Sequence, residues 1–467
     1  MSKDTSKFNR RDFLKGGAGV AVAGISSGLF SNQAQASDLG GASSRLSGNH
    51  SDDRFWRKVK NEFTLNRRSV YMNVGTTGSM PKDVLKDYDK NNKTVAEHPW
   101  DMDNAFGSWP YVNDMIAAIA PGFGANTDEL VLSRNTTDGM ASIINGLDFK
   151  EGDVILSTHH EHIGATSSLY TVQERFGVEI FDVELPVYTG ERELTVEDYM
   201  RPFRQAIRRF GDRIKLMVFS HIPYKTGTTL PAKKLCRLAR SHRIPTLIDG
   251  AHTIGMLNLN FHDIDCDFYA GSGHKWQCGA GATGILYIRD NASRLERFWP
   301  SDRRPLYFVN SSLAASADYY GAQLVSQYVG HDNYPAKQAL TDSCKMWDEI
   351  GRQRIEDRVL DLSALCKEEL ADKIPEGTLF TSPRRELSSG LTTFNPFSDW
   401  SNGELLTEFR DRLREDYGYI IRTTDFQIHK DSTESTYALR ISTHLFHDED
   451  DVKGLVKAMK HLTRQMS

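Results

Sequence analysis

Thr246-Leu247-Ile248-Asp249-Gly250-Ala251-His252 and Asp267-Phe268-Tyr269-Ala270-Gly271-Ser272-Gly273-His274-Lys275-Trp276 are the most informative stretches of this chain. Each opens on a short apolar run and breaks at glycine, and a charged group stands at the break. A short apolar run bounded by glycine reads as a strand. Working outward, comparable runs lie at 130–133, 154–157, 216–219 and 285–288, with amphipathic stretches such as 231–242 between them. Strands alternating with helices predict an α/β sheet, and ligands of open α/β sheets bind beyond the carboxyl ends of the strands.

Four of these ends carry chemistry. Run 130–133 leads into Arg134-Asn135-Thr136-Thr137-Asp138-Gly139-Met140, a turn into a helix whose free amides and threonine hydroxyls suit a phosphate. Alone, the same pattern is an ordinary threonine N-cap. Run 154–157 leads into Thr158-His159-His160-Glu161-His162. A histidine there can stack on an aromatic ring. Three histidines and a glutamate could also hold a metal, but the loop lacks the i, i+4 spacing that puts two histidines on one ligand face, and no metal is expected. Asp249 ends its strand as a carboxylate able to pair with a cation such as a protonated pyridine nitrogen, although an aspartate before glycine is common in turns. Lys275 lies among glycines that let backbone approach a ligand. Desolvation there lowers an amine's pKa and favours imine formation, whereas a lone lysine is ordinarily a solvated surface residue. The order of the four groups weighs more than any one of them.

These segments resemble the class V aminotransferase family of fold-type I pyridoxal 5′-phosphate (PLP) enzymes, and within it the isopenicillin-N-epimerase-like branch. The resemblance runs from about residue 71 to residue 462. It takes in Asn73-Val74-Gly75-Thr76-Thr77-Gly78, Asp128-Glu129-Leu130-Val131-Leu132, Ser220-His221 with Thr226-Gly227-Thr228, Asp249-Gly250-Ala251-His252, Gly273-His274-Lys275-Trp276 and Leu439-Arg440-Ile441-Ser442. It implies a large α/β domain on a mostly parallel seven-stranded sheet, a smaller C-terminal α+β domain, PLP as cofactor and a homodimer. Carried over position by position, Lys275 is the Schiff-base lysine and proton shuttle. Asp249 pairs with the ring nitrogen, His162 stacks on the ring, and His252 lies near the ring edge and its phenolic oxygen. Thr136, Thr137, Ser272 and His274 hold the phosphate, and Arg440 clamps a substrate carboxylate, where a bidentate guanidinium fits best. Two places depart from the family pattern. Tyr224 stands where asparagine is frequent, and Gly330-His331-Asp332-Asn333 replaces a Gly-Thr-x-Asp loop that reaches the partner subunit's phosphate.

The resemblance implies a reaction at the α-carbon or amino group of an amino acid, of the aminotransferase kind. Epimerisation of an amino acid or peptide is the alternative. It normally needs a second acid, for which Tyr224 and His331 are candidates. Cysteine desulfurase chemistry needs a nucleophilic cysteine on a loop beyond the lysine; 382–431 contains none, and Cys278 lies only three residues after Lys275.

The N-terminus reads Asn9-Arg10-Arg11-Asp12-Phe13-Leu14-Lys15, then a mild apolar run over 16–30, then Ala34-Gln35-Ala36. This resembles a twin-arginine signal peptide. It implies recognition by the twin-arginine machinery, export after folding with the cofactor inserted, and a periplasmic enzyme. The run is too short and glycine-rich to span a bilayer, and no later stretch is apolar enough, so a mature form without a membrane span is expected. An exported enzyme meets little of the cytoplasmic amino-acid pool, which favours a small molecule or a residue of a secreted peptide as substrate. The predicted organisation is signal peptide 1–36, linker 37–51, N-terminal segment 52–110, large domain 111–336 and small domain 337–467. In the small domain a long helix, strands near 391–394, 419–422 and 437–441, a helix at 404–417 and a closing helix are expected. The five cysteines are odd in number and widely spaced, with no CxxC pair, so they predict neither a disulfide framework nor a zinc site. At 467 residues, 39% hydrophobic, 25% charged and net −5, the chain suits two globular domains, and nothing in it points to nucleic acid.

Overall fold

The computed structural model describes residues 52–99, 109–289, 306–316 and 321–467. The signal peptide and linker expected over 1–51 lie outside the described residues, as do 100–108 of the N-terminal segment. The described residues belong to one compact unit.

The strands in chain order are β1 (Val70–Tyr71), β2 (Leu130–Ser133), β3 (Val154–Thr158), β4 (Glu179–Val183), β5 (Ile214–Ser220), β6 (Thr246–Gly250), β7 (Phe268–Ser272), β8 (Gly284–Ile288), β9 (Thr378–Leu379), β10 (Leu391–Asn395), β11 (Tyr419–Ile420), β12 (Arg422–Phe426) and β13 (Thr436–Ser442). The large sheet has seven strands in the order β2-β8-β7-β6-β5-β3-β4. β4, β3, β5, β6 and β7 run parallel, and β8 is antiparallel to both neighbours. Consequently β2 shares the direction of β7, and the carboxyl ends of β2, β3, β5, β6 and β7 meet at one edge.

The apolar runs alternate between two cores, as a doubly covered sheet demands. Leu130, Leu132, Val154, Leu156, Met217, Phe219, Ile248 and Tyr269 pack into one layer of helices. Val131, Ile155, Leu216, Val218, Leu247 and Phe268 pack into the other. Helices Thr136–Gly146 and Ile163–Phe176 belong to the second layer, so each leaves the active edge with its N-terminus there.

The four-stranded sheet β12-β13-β10-β9 is antiparallel. Helices Arg352–Lys373, Gly403–Tyr417 and Glu449–Met466 cover it through Leu362, Leu406, Phe409, Leu439, Ile441 and Leu455. Three local expectations change. The long helix after residue 337 is two, Tyr334–Ile350 and Arg352–Lys373, because Gly351 adopts φ 96 and breaks the ladder. The strand expected at 419–422 divides: β11 pairs in parallel with β1, while β12 joins the small sheet. β4 escaped notice because an edge strand reading Glu-Ile-Phe-Asp-Val, only half buried, lacks a continuous apolar run. All five cysteines are free and buried.

Candidate active site

All nine residues singled out as site candidates line one cavity of about 460 Å³: Lys275, Asp249, His162, His252, Thr136, Thr137, Ser272, His274 and Arg440. Topology explains the convergence. Thr136 and Thr137 follow β2, His162 follows β3, Asp249 ends in β6, and Ser272 to Lys275 close β7, all at the shared edge. Arg440 comes from β13 of the small sheet. The segment after β1 is laced between the two sheets: Ser442 donates its amide to Met72 (2.8 Å), and Gly75 donates to Ser442 Oγ (3.1 Å). Gly78 then donates to the His274 carbonyl at 2.7 Å. A Cβ on Gly78 would stand 2.0 Å from the Lys275 carbonyl oxygen, so only glycine lets the segment lie against the lysine turn.

Burial dominates the electrostatics. It lowers the Lys275 amine to about 8; Asp249 opposes that, while Arg440 and Arg422 reinforce it. Burial raises the Asp249 carboxyl, against an amide bond from Ala251 (2.9 Å) and the field of Lys275. His252 is pushed well below its usual value, by burial first and then by Lys275 and Arg440. Trp276 Nε1 donates to its Nδ1 (3.2 Å), which leaves Nε2–H as a donor. His162 falls to about 4, by burial and then Lys275. Its Nδ1 caps the next helix by accepting from Gly164 (3.0 Å). His274 is half-buried, 3.3 Å from Ser272 Oγ.

These residues fit PLP. Thr136 Oγ1 is buried without a hydrogen-bond partner, beside first-turn amides that have no partner within the helix, and Asn135 leaves them free by capping Asp138 instead (2.9 Å). Such a cradle suits a phosphate. Among the described residues the Asp249 carboxylate accepts one hydrogen bond and no ion pair, so a buried charge there calls for a cation. The other members of the histidine cluster lie elsewhere: His160 donates to the Gln427 carbonyl (2.9 Å), and the Leu185 amide donates to His159 Nδ1 (3.3 Å). Glu161, raised to about 7 by burial, accepts from Ser220 Oγ (2.6 Å) and the Ser220 amide (3.0 Å). Of the two unusual residues, Tyr224 lines the cavity with its ring edge-on to His162, centroids 5.1 Å apart. His331 is exposed and does not line it.

Sequence reasoning missed Arg422, Asn135 and Thr76, which also line the cavity. Asn135 and Thr76 stand inside quoted motifs; their N-cap and hydroxyl chemistry was the available signal. Arg422 had none, because its place depends on the register of β12 on β13. Cys278, only three residues after Lys275, does not line the cavity; its Sγ lies 3.5 Å from His444 Nε2.

Fold and site together define a fold-type I enzyme whose cofactor is PLP. The chain belongs to the class-V aminotransferase family, whose model matches residues 70–455. A twin-arginine translocation pathway signal sequence matches residues 7–25, a signal for export across the cytoplasmic membrane. Isopenicillin N epimerase from Streptomyces clavuligerus is 27% identical over 415 residues, 87% of this chain and 98% of that protein. A putative L-cysteine desulfhydrase from Oryza sativa subsp. japonica is 24% identical over 66% of this chain and 65% of its own length. The apo structure of a cysteine desulfurase from Thermococcus onnurineus NA1 superposes with a TM-score of 0.69 at 20% identity, covering 90% of this chain and all of that one. That likeness is one of fold. Among the described residues no helix is long and apolar enough to cross a membrane.

Proposed function

We propose that this enzyme takes the α-proton from an amino acid, free or part of a secreted peptide, and completes an amino-group transfer of the aminotransferase kind. The observation that carries the reading is the Lys275 amine at about 8, in one cavity with a buried carboxylate and a buried arginine. Arg440 orients the substrate through its carboxylate. Lys275 Nζ, partly neutral at physiological pH, accepts the α-proton and returns it on the same side. When bound, PLP supplies the electron sink for the charge left at the α-carbon. Thr136, Thr137, Ser272 and His274 would hold its phosphate, Asp249 its ring nitrogen, His162 its face and His252 the oxygen at its edge.

Single-sided proton transfer favours this reaction over epimerisation. An epimerase whose base is Lys275 needs a proton donor on the opposite face. The Tyr224 phenol, raised above its usual value by burial, is a weak acid, and burial keeps His162 neutral, so neither is a strong donor. Epimerisation remains the second reading, supported by the near full-length relative and by Tyr224 in the cavity as a proton donor. A cysteine desulfurase is disfavoured: no cysteine lines the cavity, and burial raises the Cys278 thiol to about 12. We place the enzyme in the periplasm, with 52–110, 111–336 and 337–467 as its segments. We read it as a homodimer whose 330–333 loop approaches the partner subunit's cofactor site.

Two measurements test the reading. Borohydride should fix a pyridoxyl group on Lys275, read by peptide mass; fixation elsewhere ends the assignment. The active donor is then incubated in deuterated water without an acceptor. Release of one oxo acid per site supports transfer, whereas inversion at the α-carbon with no oxo product establishes the epimerase.

A further inference from the structure

Arg422 and Arg440 are direct cross-strand partners in β12 and β13, and both line the cavity. Like charges directly opposite on one sheet face repel. Here nothing among the described residues neutralises them: no carboxylate lies within ion-pair distance of either guanidinium. What joins them is one neutral oxygen. Thr76 Oγ1 accepts from Arg440 Nη2 at 3.1 Å and from Arg422 Nη1 at 3.3 Å, and donates to Asn73 Oδ1 at 2.9 Å. Arg440 also reaches the Tyr224 carbonyl at 3.5 Å. Arg440 is 2% exposed, and its Nε is buried with no partner. Asp425, three residues along β12 from Arg422 and so on the opposite side by strand alternation, acts on Tyr224 and Lys225 and forms no ion pair with either guanidinium.

One substrate carboxylate would satisfy one guanidinium. Two adjacent, unneutralised guanidiniums at different depths match two anionic groups on one molecule. We infer that the substrate is a dicarboxylate: Arg440, deep in the cavity, takes the carboxylate of the reacting unit, and Arg422, at the mouth, takes a second carboxylate on its side chain or on the chain beyond. Arg422 therefore selects the substrate and takes no part in proton transfer. Its position agrees with this role, since it is exposed and lines the cavity.

The inference rests on Arg440 as the first carboxylate site, so the test separates the two. Purified holoenzyme is titrated calorimetrically with dicarboxylates from malonate to pimelate and with the monocarboxylate of each chain length. The expected result is one dicarboxylate bound at least fivefold more tightly than its monocarboxylate. Arg422→Gln should abolish that preference, and Arg440→Gln should weaken both classes. A preference below fivefold, or one that survives Arg422→Gln, overturns the inference. Monocarboxylate binding that ignores Arg440→Gln overturns the underlying reading instead. Arg422 is exposed, so its variant should fold, and retained cofactor absorbance checks this. If Arg440→Gln does not fold, the Arg422→Gln titration decides alone.

Discussion

The Lys275 amine gives the most direct test of the site, because its environment fixes both a midpoint and the directions in which that midpoint moves. An amine is acylated only when neutral. With a midpoint of about 8, about one Lys275 in ten is neutral at pH 7, about half at pH 8 and about nine in ten at pH 9. Trace acetylation of the cofactor-free protein should therefore speed up about tenfold from pH 7 to pH 9 and then level off. A lysine at the ordinary 10.4 would gain about a hundredfold over the same range with no plateau. The charges around the amine set the signs. Asp249 favours the ammonium, so Asp249→Asn should lower the midpoint; Arg440 opposes it, so Arg440→Gln should raise it. Quantitative peptide mass spectrometry across pH 6–10, with exposed lysines of the same chain as the standard, reads all three. Lys275 labelling in step with those exposed lysines would refute the reasoning, as would shifts in the opposite directions.

Thr136→Val should act twice: it removes a buried hydroxyl with no partner, stabilising the cofactor-free protein by about 1 kcal/mol, and it should weaken PLP retention about tenfold, both visible in thermal melts with and without cofactor. Lys367 is buried, with Nζ 2.5 Å from Ser363 Oγ, and burial lowers it from 10.5 to about 7. The unfolded chain then binds more protons between those values, so this lysine makes stability rise with pH by about 1.4 kcal/mol per pH unit. Urea melts from pH 7 to 9 should show Lys367→Met lacking that slope, and parallel curves would contradict it. Replacing Arg10 and Arg11 by Lys should strand the protein in the cytoplasm, checked by fractionation and by loss of a mature N-terminus at Ser37.

The fold was legible wherever burial wrote itself into composition. β2, β3 and β5 to β8 are buried along nearly their whole length, and their apolar runs stand out from glycine-bounded turns. Their spatial order was not legible from the residues themselves, because β8 turning back between β2 and β7 leaves no local trace. The family resemblance implied a mostly parallel seven-stranded sheet but not that order. The cavity residues that follow strands were recognisable because each carries its own chemistry at a strand end. Arg422 does not: it reads as one more polar residue near a strand boundary. Only the register that sets it against Arg440 gives it meaning, and register across a long hairpin is a tertiary property. Tyr224 and His331 were equivalent in the sequence, and the fold separates them, one inside the cavity and one on the surface.

The buried cysteines bear on when the chain must fold. Thiols are oxidised mainly as thiolates and only where an oxidant can reach them. Burial raises all five, Cys278 and Cys344 to about 12 and Cys366 to about 11, and exposure is at most 1%. An unfolded chain delivered beyond the cytoplasmic membrane would offer five reactive sulfurs, an odd set that cannot pair off within one molecule, to a compartment that forms disulfides. Mispaired, they would cross-link elements that the native sheet holds apart. A chain that closes around its sulfurs before crossing offers none.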